Sequence, residues 1–135
     1  MLAETSYKIF DNKPKKMIAV TGTNGKSSVS DFYYQILNLN SKKVASIGTL
    51  GVKSSKINIG LSNTTVDSIQ LSKILKKIKN NKIDNVIMDA SSNVLKQKRL
   101  DGLTFNSGVC SNLSKDHWDY NKDLKAHVHE TINVF

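Results

Sequence analysis

The chain has 135 residues, a formal charge of +9 and a single cysteine, Cys110. That length supports one domain with a core of its own, the lone cysteine excludes an internal disulfide, and no apolar run is long enough to span a bilayer. The charge invites a nucleic-acid partner, but its lysines are dispersed rather than clustered and are not interleaved with aromatics, so a solvated Lys-rich surface is the better reading and no nucleic-acid partner is expected.

Residues 1–15 read as a helical tail and polar linker, with Leu2, Ile9 and Phe10 as apolar points and Asp11-Asn12-Lys13-Pro14 as the breaker. The first residues lack a charged and then apolar leader pattern, and with a lone thiol the chain reads as cytoplasmic. A first strand covers about residues 16–21. It runs into Gly22-Thr23-Asn24-Gly25-Lys26-Ser27-Ser28, after which Val29, Phe32, Tyr33, Ile36 and Leu37 recur at helical spacing to about Leu39. Lys42 to Thr49 reads as a second strand, and Gly51 to Gly60 as a small hairpin.

Ser62-Asn63-Thr64-Thr65 is a polar, cap-like loop before a second helix, with Asp67 favourable to its dipole. That helix carries Leu71, Ile74, Leu75 and Ile78 on one face and lysines around the rest. Asn85 to Ala90 is a third strand, Val94 to Arg99 a short helix or turn, Phe105 to Ser111 a fourth strand, and a last helical segment starts near Lys122. Strands alternating with helices predict an α/β, P-loop NTPase-like fold: a mostly parallel sheet with helices on both faces. On such sheets ligands bind at the carboxyl ends of the strands.

The glycine turn sits at one such end. Gly22 and Gly25 allow a sharp turn and close backbone approach. The N–H groups from Asn24 to Ser27 are expected to face phosphate oxygens at the helix N-terminus. Lys26 is placed to reach the β/γ-phosphates, and the Ser27 hydroxyl to bind Mg²⁺. The motif is the short G-T-N-G-K-S, since Val20 stands where the long form has its first Gly. Asp89 closes the third strand and is the candidate magnesium carboxylate, the alternative being a cap for the Ser91-Ser92 turn. Asp116-His117 follows Asn112-Leu113-Ser114 after the fourth strand, which makes His117 a candidate ligand. His127 and His129 read as surface residues. Arg99, the sole arginine, offers a planar fork that lysine does not replace.

Taken together, G-T-N-G-K-S, N-T-T-V-D, M-D-A-S-S-N-V-L-K-Q-K-R and N-L-S-K-D-H-W-D-Y resemble the Mur ligase family, in order and spacing the MurE type that extends UDP-N-acetylmuramoyl-dipeptide in peptidoglycan synthesis. The resemblance runs from about Leu2 to Phe135. It implies that residues 16–135 are part of the central ATP-binding domain, with the remainder of the ligase as a partner. It also implies ATP and Mg²⁺ as cofactors and a UDP-N-acetylmuramoyl-peptide as substrate. The roles it carries over are Lys26 and the loop on the ATP phosphates, Ser27 and Asp89 on one Mg²⁺, and His117 on a second. Thr64, Thr65, Ser91, Gln97 and Arg99 match substrate-contacting positions. There are departures. Asp89 replaces the usual Glu, Asn93 a His, Val66 a Pro and Asn121 a His. Thr131 falls where the family has a carbamylated lysine, so amide-bond formation by this chain alone is not expected. The alternative is a non-catalytic P-loop nucleotide-binding module.

Overall fold

A computed structural model describes residues 5, 13–48, 51–55, 58–59, 67–91 and 100–112. The elements are β1 (Lys16–Thr21), α1 (Lys26–Leu39), β2 (Val44–Gly48), β3 (Gly51–Ser54), β4 (Asn58–Ile59), α2 (Ser68–Asn80), β5 (Asn85–Asp89) and β6 (Ser107–Cys110). The N-terminal tail, the Ser62–Thr65 loop, the Val94–Arg99 segment and the last helix lie outside the described residues.

The strands form one sheet in the order β4-β3-β2-β5-β1-β6. The four strands β2, β5, β1 and β6 are parallel, while β3 and β4 add an antiparallel hairpin at the β2 edge. The hairpin matches the weak alternation of the 51–60 stretch and makes the sheet mixed at that edge. The central strands β1 (KMIAVT) and β5 (NVIMD) are nearly unbroken apolar runs. That composition suits strands covered on both faces.

Alternation along the strands sorts the two faces. Met17, Ala19, Ala45, Ile47, Val86 and Met88 join Leu71, Ile74, Leu75 and Ile78 of α2 in the main core. The side chains of the other face, Val20, Val44 and Ile87, are buried where α1 crosses β2, β5 and β1. A polar clasp fixes the lower ends of the strands. Asn106 N–H donates to Met17 O and Asn106 Oδ1 accepts from Met17 N–H, which sets β6 on β1. The Asn85 amide donates to Lys43 O beside the start of β2. With Val20 opposite Asp89 and Thr21 opposite Cys110, the upper ends of β1, β5 and β6 finish side by side.

Two local details differ from the sequence-based expectation. Asp67 itself is the N-cap of α2, its carboxylate accepting from Gln70 N–H at 2.7 Å. In α1 the buried residues are Ser30 and Tyr34. Of the residues at helical spacing, Val29, Tyr33 and Leu37 are half-buried, whereas Phe32 and Ile36 are 63% and 59% exposed, and Leu39 is 82% exposed. Small Ser30 brings the helix close to the sheet, and Tyr34 fills the next turn. The tyrosine also receives Lys53 from β3 over its ring at 4.7 Å, and Lys53 pairs with Asp31 at 2.9 Å. This pairing holds the Asp31 carboxyl below its usual range.

Candidate functional site

At the top of β1 the chain leaves Thr21 and turns through Gly22, with φ 135°, and Gly25, with φ 82°. Both values lie where only glycine sits without strain. Gly25 is the N-cap residue of α1, and among the described residues no side chain caps this helix end; its first turn also holds no acidic residue. The first helical bond is donated by Val29 N–H to Gly25 O. The N–H groups ahead of it have no acceptor within the helix, and the helix dipole favours an anion beside them.

Lys26 folds back over the turn. Its ammonium donates to Gly22 O at 2.9 Å and lies 3.5 Å from Thr23 O. Ser27, one residue on, projects its hydroxyl toward Asp89 at the end of β5, where Oγ is 3.4 Å from Oδ2. That separation makes only a weak hydrogen bond. The other carboxylate oxygen, Asp89 Oδ1, is buried and has no hydrogen-bond partner among the described residues. Burial pushes the Asp89 carboxyl up from its ordinary value, while Lys26 and the Ser27 hydroxyl pull it part of the way back.

A buried, orphaned carboxylate oxygen beside a hydroxyl is an oxygen donor set suited to a hard divalent cation. Among the described residues no group of three or more His, Cys, Asp or Glu side chains converges. Mg²⁺ does not need one, because it keeps several waters and takes one or two carboxylates plus phosphate oxygens. The residues present therefore fit Mg²⁺ bound together with a phosphate chain.

Of the sequence-predicted site residues, Gly22, Thr23, Asn24, Gly25, Lys26, Ser27, Ser28 and Asp89 come together here, spread over the turn, the first turn of α1 and the end of β5. Ser91 follows Asp89 by two positions and is half-buried. Thr64, Thr65, Gln97, Arg99 and His117 lie outside the described residues, as does Thr131. One expectation changes: Asn24 N–H does not face an open anion site but donates to Asn112 Oδ1 at 2.9 Å.

That bond belongs to a set missed at the sequence level. Thr23 N–H donates to Asn112 O at 3.0 Å, and Ser111 N–H donates to Thr21 O at 2.9 Å. Ser111 Oγ lies 2.5 Å from Asn24 O and 3.2 Å from Thr21 O. Its single proton serves the nearer carbonyl. The only available signal was position, since Ser111-Asn112 leaves a parallel strand at the same sheet end as the glycine turn.

Residues 20–135 match the family described as Mur ligase middle domain. A UDP-N-acetylmuramoyl-L-alanyl-D-glutamate–2,6-diaminopimelate ligase of Leptospira borgpetersenii is 36% identical over 92% of this chain and 25% of its own length. One from Rickettsia bellii is 39% identical over 99% of this chain and 29% of its own. The chain thus spans between a quarter and a third of these relatives. A solved structure of such a ligase superimposes with a TM-score of 0.76 at 31% identity, over 95% of this chain and 26% of that one. A bifunctional folylpolyglutamate synthase/dihydrofolate synthase, solved with Mn, AMPPNP and L-glutamate bound, reaches 0.77 at 17% identity, a likeness of fold.

Proposed function

Since the chain belongs to the Mur ligase family and corresponds to its middle domain, we propose that it is the ATP- and Mg²⁺-binding part of a MurE-type amide ligase. The whole ligase adds an amino acid to a UDP-N-acetylmuramoyl-dipeptide. The observation that carries this reading is the glycine turn with Lys26, set beside Ser27 and the orphaned Asp89 oxygen. Residues 16–135 are the partial central domain and 1–15 the linker before it. The chain acts in the cytoplasm; no described helix is long and apolar enough to cross a membrane.

In the reaction, the terminal phosphoryl group of ATP passes to the substrate carboxylate, and an amine then displaces phosphate from the acyl phosphate. Such transfer depends on positioning and on neutralising charge. Lys26 turns ammonium donors from the carbonyl side of the turn to the β/γ-phosphates, where charged acceptors form stronger hydrogen bonds. The N–H groups opening α1 bind the phosphate oxygens. Ser27 and Asp89 hold Mg²⁺, which offsets phosphate charge when bound, and His117 holds a second ion. Thr64, Thr65, Ser91, Gln97 and Arg99 contact the UDP-muramoyl-peptide, with Arg99 suited to a carboxylate or phosphate by its fork. Thr131 favours a second reading for this polypeptide by itself: nucleotide binding without amide-bond formation.

Isothermal titration of the full chain with ATP·Mg²⁺, beside Lys26→Ala, tests the proposal. Heat from the wild type and its loss in the variant are expected. No heat from the wild type, or equal heat from both, rejects it.

A further inference from the structure

We infer that Asn112, with Ser111 beside it, is a positioning residue that holds the phosphate loop in its binding shape. The inference rests on the nucleotide reading above and assigns a role to residues that reading leaves unused. The glycine turn is held from two sides. On one, Lys26 Nζ binds the carbonyls of Gly22 and Thr23. On the other, Ser111 and Asn112 bind Thr21 O, Thr23 N–H, Asn24 N–H and Asn24 O.

The two sides have different fates. Lys26 has to turn ammonium donors toward a phosphate to bind it, and its hold on the turn loosens when the ligand arrives. The contacts from Ser111 and Asn112 need not break. They tie the turn to residues 87 to 90 positions away in the chain, and no local turn preference replaces them. A loop kept in its bound shape loses less conformational freedom on binding. The packing agrees with a fixed relation between the two segments. A Cβ on Gly22 would stand 2.2 Å from Ser111 Oγ and 2.8 Å from Asn112 O. The absent side chain of Gly22 is therefore room for Ser111-Asn112, and phosphate is left to the N–H groups beyond Asn24.

The test uses Asn112→Leu, which removes the side-chain acceptor, and Asn112→Asp, which keeps one. Two readouts are taken on the full chain: Kd for ATP·Mg²⁺ by calorimetry well below the unfolding temperature, and amide hydrogen exchange of Asn24 without nucleotide. Asn112→Leu is expected to weaken binding about threefold to tenfold and to speed Asn24 exchange, while Asn112→Asp restores slow exchange. If Asn112→Leu does not fold, Ser111→Ala makes a smaller excision, with faster exchange at Asn24 and weaker binding again expected. A lowered unfolding temperature with unchanged Kd would mean a merely structural role and overturn the inference, as would unchanged Asn24 exchange. If the wild type binds no nucleotide, the proposed function fails, and Asn24 exchange alone then decides whether Asn112 holds the loop.

Discussion

Replacing Gly22 by alanine should be far more damaging than the same change at Gly25, although both stand in one turn and both have positive φ. At Gly25 the φ of 82° is the only obstacle, since a Cβ there would meet Ser111 at an ordinary 3.8 Å. The left-handed conformation costs an L-residue roughly 1–2 kcal/mol. At Gly22 the φ of 135° lies outside even that region, at a cost of about 1–3 kcal/mol. The new Cβ would also meet Asn112 O at 2.8 Å and Asn112 N at 3.0 Å. Ser111 Oγ can rotate aside, but these backbone atoms cannot move without stretching the bonds to Thr23 and Asn24, worth about 1 kcal/mol each. The sum is about 3–5 kcal/mol for Gly22→Ala against about 1–2 for Gly25→Ala. Urea unfolding followed by circular dichroism measures both, and a Ser111→Gly background should return only a small part of the Gly22→Ala loss. Gly22→Ala no more destabilised than Gly25→Ala, or complete rescue by Ser111→Gly, would refute the reasoning.

Three further outcomes follow from the packing and electrostatics. Ile78, fully buried under the sheet, should lose about 2–5 kcal/mol of stability as alanine, whereas Phe32→Ala on the exposed side of α1 should lose under about 1 kcal/mol; chemical denaturation compares them. Asp67→Ala removes the α2 cap and should cost about 1 kcal/mol, readable as a lower unfolding midpoint. Asp89 is held above its ordinary value by burial, so its charge opposes folding at neutral pH, and that penalty fades as pH falls through the raised value. Without metal, Asp89→Asn should therefore be more stable than wild type near neutrality, with the gap closing on acidification. Mg²⁺-dependent nucleotide affinity of the wild type should fall over the same window, which begins above the usual carboxylate range. Thermal unfolding in chelator across pH, paired with titrations, measures both; a stability gap that widens on acidification contradicts the assignment.

The core of the fold was legible because its signals are local. The apolar runs of β1 and β5, the Leu71-Ile74-Leu75-Ile78 stripe of α2 and the glycine turn each carry their meaning within a few residues. Periodicity placed α1 but not its buried face: Val29, Phe32, Tyr33, Ile36 and Leu37 share the helical spacing, yet Phe32 and Ile36 are exposed and Tyr34, outside that set, is buried. A helix offers several apolar arcs, and the sheet beneath selects one by shape. Here it took Ser30 and Tyr34, leaving Phe32 and Ile36 outside. The cap of α2 was displaced for a related reason: several polar residues precede that helix, and backbone geometry alone picks Asp67.

The sequence by itself determined the chemistry available at the site, because a glycine turn, a lysine, a hydroxyl and a strand-end acid are properties of residue type and spacing. Tertiary structure decided how those groups are held. Parallel pairing of β5 and β6 on either side of β1 brings Asp89 to Ser27 and Asn112 to Asn24 across 62 and 88 positions of chain. No pattern within a short window encodes such contacts. They arise because strands in register end together, and whatever follows each strand is delivered to the same place.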